Sequence, residues 1–135
     1  MNILVTGGYG FIGSNLIKKL LSNKSISIFN IDKLGYASNP ECVTKAIYES
    51  SNDNYHFYKL DLLKHDKLQE IFSEIKPDLV MHLAAESHVD RSISSSRVFI
   101  ESNIIGTYNL LETSRKYFET LDFEKKSKFK FHHIS

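Results

Sequence analysis

The sequence predicts a doubly wound α/β fold, a parallel sheet with helices on both faces, incomplete at its carboxyl end. Three observations carry this expectation. Short runs rich in Ile, Val and Leu alternate with amphipathic stretches, most runs give way at once to glycine, acidic or other turn residues, and the spacing admits one helix between successive strands. Parallel strands require such crossovers, and helices supply them with a right-handed sense. With 135 residues the chain is read as one domain, 1–135, long enough to bury a core without disulfides or metals.

Each element follows from its pattern. Asn2–Thr6 is an apolar run that stops at glycines, the signature of a buried strand. From Phe11 to Asn23, Phe11, Ile12, Leu16, Ile17, Leu20 and Leu21 fall near helical spacing and leave Lys18 and Lys19 for water. Ser27–Ile31 is a second strand closed by Asp32, Lys33–Pro40 a polar loop, and Glu41–Ser50 a helix. Tyr55–Leu60, Lys64–Ile75 and Leu79–Leu83 continue as strand, helix and strand, the last introduced by the turn residues Lys76, Pro77 and Asp78. One long helix is expected over Arg97–Phe118, with Val98, Phe99, Ile100, Ile104, Ile105, Leu110 and Leu111 covering more than one face, so that it should be buried on two sides. A Lys-rich turn at Glu124–Lys128 then leads into a last strand, Phe129–Ile134, near the end of the sheet.

Composition narrows the class of partner. The formal net charge of +1 gives no electrostatic case for nucleic acid or a membrane surface, so the expected partner is a small molecule. Cys42, the single cysteine, cannot form an internal disulfide, and the amino end lacks a charged segment followed by an apolar one. No apolar stretch approaches the roughly 18 residues of a membrane span, and a cytoplasmic location is expected.

Ligands of doubly wound sheets lie at the carboxyl ends of the strands. After the first strand comes Gly7-Gly8-Tyr9-Gly10-Phe11-Ile12-Gly13, which places Gly8-x-Gly10-x-x-Gly13 between a strand and a helix. Such a turn needs positive φ, a backbone bare enough to meet a pyrophosphate, and close helix packing; the helix amino end adds free N–H donors and a positive dipole. The motif makes the fold Rossmann-like and points to a dinucleotide. Asp32 stands 19 positions after Gly13 (32 minus 13), where a carboxylate bonds the adenosine ribose and repels a 2′-phosphate, so NAD is expected over NADP. Lys33 beside it could soften that preference. Asp61, after the third strand, is open to two readings, helix capping and adenine contact.

Longer motifs carry a family resemblance. Val5–Ser14 resembles the opening of the extended short-chain dehydrogenase/reductase family. His82-Leu83-Ala84-Ala85-Glu86-Ser87-His88-Val89-Asp90-Arg91-Ser92-Ile93, Asp32-Lys33-Leu34 with Tyr36-Ala37 and Asn39, Asn103–Glu112, and Phe131–Ser135 resemble the dTDP-glucose 4,6-dehydratases within it, across the whole chain. The resemblance implies NAD contacts from Gly7, Gly10, Phe11, Ile12 and Gly13 at the pyrophosphate, and from Asp32, Lys33, Leu34 and Gly35 at the adenosine. It further implies Asp61 and Leu62 near adenine, Leu83, Ala84, Ala85, Glu86 and Ser87 beside the nicotinamide, Ser87 also on the sugar nucleotide, and Ser102 as another cofactor contact. The chain departs from the usual pattern at Gly35, where a hydroxyl residue is common, and at Ser102, where Thr is usual.

In that family the strand ending His-Ile-Ser is followed by Thr-Asp-Glu and later by Tyr-x-x-x-Lys, neither of which occurs here. The chain is therefore expected to be the inactive, self-associating NAD-binding portion of an enzyme that converts dTDP-glucose to its 4-keto-6-deoxy product for deoxysugar synthesis, such as rhamnose for surface polysaccharide. Full length, that enzyme is expected to be a homodimer, with a nucleotide sugar as substrate. The alternatives are a GDP-mannose or UDP-sugar dehydratase or epimerase, and a non-catalytic NAD-binding module. No catalytic residue is assigned. No metal site is expected either, since His132 and His133 are adjacent on a strand and face opposite ways. Tyr117 is read as a helix-face aromatic, because Leu121 stands where a catalytic tyrosine would have its Lys.

Overall fold

The computed structural model describes residues 1–51, 53–88 and 95–134. Val89 to Ile93 and Ser135 of the quoted motifs lie outside the described residues. The chain runs β1 (Asn2–Thr6), α1 (Phe11–Leu21), β2 (Ser27–Asp32), α2 (Pro40–Ser50), β3 (Tyr55–Lys59), α3 (His65–Ile75) and β4 (Leu79–His82). It continues through α4 (Ser96–Phe99), a π-helical segment (Ile100–Gly106), α5 (Thr107–Thr120), α6 (Phe123–Lys128) and β5 (Lys130–His133). Five strands pair in the order β3-β2-β1-β4-β5, all parallel. The order reverses between β1 and β4, where a doubly wound sheet opens a crevice at its carboxyl edge.

Alternation along β1 divides the core. Leu4 faces one layer with Ile31, Leu68, Phe72, Val80 and Leu110, whereas Ile3 and Val5 face the other with Ile17, Leu21, Ile28 and Val43. Helices α3 and α5 thus cover one face of the sheet and α1 and α2 the other. Tyr117 sits on the α5 face as expected, edge-on to Phe72 and Phe129.

Four expectations need correction. Element ends shift by a residue or two: α1 stops at Leu21 where Ser22 caps it, β2 includes Asp32, α2 starts at Pro40, α3 at His65, β3 and β4 stop at Lys59 and His82, and β5 is shorter at both ends. The Lys-rich turn is a short helix, α6, because the Asp122 side chain accepts a bond from the Lys125 backbone N–H and nucleates it. The long helix is not uniform. Its π-helical turn brings Gly106 against Leu62, where a Cβ would come within 3.3 Å of the Leu62 Cβ, and moves the following turns out of α-helical phase with the preceding ones. Nor is it buried on two sides. Leu110, Thr113 and Ser114 are buried, but Ile100, Ile104, Ile105, Tyr108 and Leu111 are exposed, because the described residues provide one sheet face for it to cover.

Candidate functional site

The carboxyl ends of β1 to β4 converge on one cleft. Gly7 begins it with φ 70°, and a Cβ there would lie 2.7 Å from both Cα and N of Ala84, so the position is closed to side chains by conformation and by space. A Cβ on Gly13 would collide with the carbonyl of Gly7, which is how closely α1 folds back on the turn. Gly10 differs. Its Cβ would meet only the Gly7 carbonyl, at 3.2 Å, and the residue lines the cleft. As the N-cap of α1, Gly10 supplies no side-chain acceptor, and the first turn of the helix carries no acidic residue, so its amino end keeps its donors and positive potential.

Buried polar side chains hold this turn. Asn30, fully buried in β2, accepts from the Gly8 N–H at 3.0 Å and donates to the Tyr55 hydroxyl at 2.9 Å. Burial drives the Tyr55 hydroxyl pKa well above its ordinary range, so it stays protonated. Asp32 accepts from the Tyr9 N–H at 3.0 Å, the Leu34 N–H at 2.8 Å and the Ser38 hydroxyl at 3.0 Å. A carboxylate offers about four acceptor sites, so Asp32 retains capacity for one further donor in the cleft.

The opposite wall is built from β4. His82 is fully buried, its Nδ1 2.7 Å from the Thr6 Oγ1 and its Nε2 2.9 Å from the Thr107 Oγ1. Desolvation, with a contribution from His133, lowers its pKa from 6.5 to about 4, so the ring is neutral and bridges two hydroxyls. Thr6 also accepts from the Ala84 N–H at 3.3 Å. One turn further, Asn103 of the π-helical segment accepts from the Glu86 N–H at 2.8 Å and donates to the Glu86 carbonyl at 2.9 Å, fastening the loop after β4. The Glu86 carboxylate pairs with the Lys33 ammonium at 2.7 Å, and the same ammonium donates to the Ser102 hydroxyl at 2.7 Å.

Twelve of the residues singled out from sequence line this cleft: Gly7, Gly10, Asp32, Lys33, Gly35, Asp61, Leu62, Leu83, Ala84, Ala85, Glu86 and Ser102. Phe11 and Ile12 do not, their side chains being 86% and 61% exposed; only their backbone, in the first turn of α1, adjoins the site. Gly13 packs on the turn, Leu34 takes a left-handed conformation with φ 60°, and Ser87 is exposed beyond the lining. Asp61 does not cap α3, whose N-cap is Lys64; its carboxylate accepts from the Leu63 N–H at 3.0 Å within the preceding turn. Ile31, Tyr36, Ala37, Ser38 and Leu60 also line the cleft, and the supports Thr6, Asn30, His82, Asn103 and Thr107 had no motif of their own. Polar residues inside buried strands were the available signal for Thr6, Asn30 and His82. Among the described residues no group of three or more His, Cys, Asp or Glu is placed to hold a metal, and no helix is long and apolar enough to cross a membrane.

Comparison with known proteins agrees with this architecture. The model of the family described as GDP-mannose 4,6 dehydratase matches residues 4–135. A dTDP-glucose 4,6-dehydratase of Haemophilus influenzae is 50% identical over the whole chain, which spans 39% of that relative's length. The crystal structure of a dTDP-glucose 4,6-dehydratase from Bacillus anthracis in complex with NAD superposes with a TM-score of 0.78 at 34% identity, over 100% of this chain and 37% of that one. A UDP-glucose 4-epimerase from Thermotoga maritima, solved with UDP-glucose, gives 0.72 at 38% identity over 87% of this chain and 35% of that one.

Proposed function

The chain belongs to the GDP-mannose 4,6 dehydratase family, and from that premise we propose that it forms the NAD-binding portion of a dTDP-glucose 4,6-dehydratase. The observation that carries the cofactor reading is the pairing of an uncapped α1 amino end with Asp32 on opposite sides of one cleft. The Phe11 and Ile12 N–H groups bind the pyrophosphate, and Gly10 leaves it room. Asp32 uses its remaining acceptor capacity on the adenosine ribose, with Lys33, Leu34 and Gly35 beside it. Asp61 and Leu62 border the adenine, and Leu83 to Ser87 and Ser102 the remainder of the dinucleotide, with Ser87 also reaching the sugar nucleotide. NAD bound in this way would supply the hydride acceptor of the whole enzyme's reaction.

The sugar specificity rests on the 50% identity to dTDP-glucose 4,6-dehydratases. The proposed activity of the whole protein is conversion of dTDP-glucose to dTDP-4-keto-6-deoxyglucose, in the cytoplasm, by a homodimer whose interface includes the exposed face of α5. Ile104, Ile105, Tyr108 and Leu111 form the apolar seam that supports that assembly. Isothermal titration of this chain with NAD tests the cofactor reading, and absence of binding would refute it. Incubation of the longer protein with dTDP-glucose, GDP-mannose and UDP-glucose tests the substrate reading. The 4-keto-6-deoxy product from dTDP-glucose is expected, whereas epimerised UDP-glucose would favour the likeness to the Thermotoga enzyme.

A further inference from the structure

We propose that Glu86 and Ser102 exclude phosphorylated dinucleotides by holding the Lys33 ammonium against the loop after β4. This rests on the NAD reading above and deepens it. A 2′-phosphate would enter the cleft beside Asp32, and accommodating it requires a cation near that carboxylate. Lys33 adjoins Asp32 in sequence and is the one Lys or Arg among the described lining residues. Its charge is already committed. Two of its three donors are taken, at 2.7 Å by the Glu86 carboxylate and at 2.7 Å by the Ser102 hydroxyl.

The partners are themselves fixed. Asn103 grips Glu86 through both its backbone N–H and its carbonyl, and Ser102 precedes Asn103 on the π-helical segment. Both ends of the clamp therefore move as one unit, and the Glu86 side chain is only 18% exposed, which limits screening of the pair by solvent. Asp32, Asp61 and Glu86 all line the cleft against this single neutralised ammonium, so the wall facing a 2′-phosphate is negative. Discrimination thus has two parts: repulsion by Asp32, and withdrawal of the cation that would otherwise offset it.

The experiment is a double-mutant cycle read as the ratio of dissociation constants, NADP over NAD, by calorimetry on this chain. Glu86→Gln should lower that ratio about fivefold, and Ser102→Ala about twofold. In a Lys33→Met background Glu86→Gln should leave the ratio unchanged. An unchanged ratio in the single Glu86 variant overturns the proposal, and so does an equal fall in the Lys33→Met background, which would assign the effect to Glu86 alone. Circular dichroism accompanies each titration; should Glu86→Gln misfold, Ser102→Ala with and without Lys33→Met carries the same comparison. Wild-type chain that binds neither dinucleotide would instead refute the NAD reading itself, an outcome distinct from NAD binding with an unresponsive ratio.

Discussion

The Thr6 hydroxyl lies 2.7 Å from the Nδ1 of His82, a buried contact between neighbouring strands that also reaches helix α5 through the Thr107 hydroxyl on Nε2. Because desolvation holds the His82 pKa near 4 in the folded chain, its proton is taken up near 6.5 only on unfolding. Stability from this group is complete above about pH 6.5 and is lost as pH falls toward 4. Between pH 7 and pH 4.5 the loss should be about 2 to 3 kcal/mol. Urea titrations of wild type and His82→Gln at both pH values check this. The variant, less stable at pH 7, should lose less on acidification, and parallel losses would contradict the linkage.

The glycine turn should separate folding from binding. Gly7→Ala combines a positive φ with a Cβ 2.7 Å from Ala84 backbone atoms, and is expected to cost about 2 to 4 kcal/mol and to lower the melting temperature sharply. Gly10→Val places its side chain in the cleft, where the only near neighbour is the Gly7 carbonyl. It should retain the circular dichroism of the wild type and lose NAD affinity. Tight NAD binding by this variant would show that the turn is structural alone.

Asp32→Ala should do more than remove a ribose contact, because three protein donors lose their acceptor. Expected are a stability loss of about 1 to 3 kcal/mol and weaker binding, with NAD losing more than NADP. Thermal melts and paired titrations measure both. Equal losses for the two dinucleotides would remove Asp32 from the ribose.

Asn103→Ala should free the loop after β4 while leaving the sheet intact, since the amide pairs with both backbone groups of Glu86. Hydrogen exchange at residues 83–88 should accelerate by at least about tenfold, the scale for losing two bonds of about 1 kcal/mol each. Unchanged protection there would mean that the loop is held by other contacts.

Ile104 and Leu111 are 63% and 46% exposed on the same helical stretch, and the chain is expected to associate through them. Light scattering across a concentration series should show growing oligomers for wild type and a monomer for Ile104→Glu. A monodisperse wild-type monomer at all concentrations would contradict the role of this face.

Local pattern was enough for some of these features. The apolar run Ile3 to Val5 followed by glycines, the helical spacing from Phe11 to Leu21 and the Asp at position 32 depend on neighbours in sequence, and each stands in the structure where its pattern placed it. The same holds for the parallel sheet, because strand–helix–strand spacing leaves few other connections. Boundaries were less legible, since capping and fraying act over one or two residues.

What sequence determined alone, then, was the type of element, the glycine turn and the identity of the residues at the strand ends. Tertiary structure decided how those residues are used. Nothing in the local pattern of Ile100 to Gly106 marks a π-helical turn, because its cause is the approach of Gly106 to Leu62, more than forty positions earlier. In the same way the commitment of Lys33 to Glu86 and Ser102, and of His82 to Thr6 and Thr107, arises only when distant strands and a helix close around one cleft. Hydrogen bonds and ion pairs form at about 3 Å between groups far apart in the chain, and a one-dimensional pattern carries no such distance.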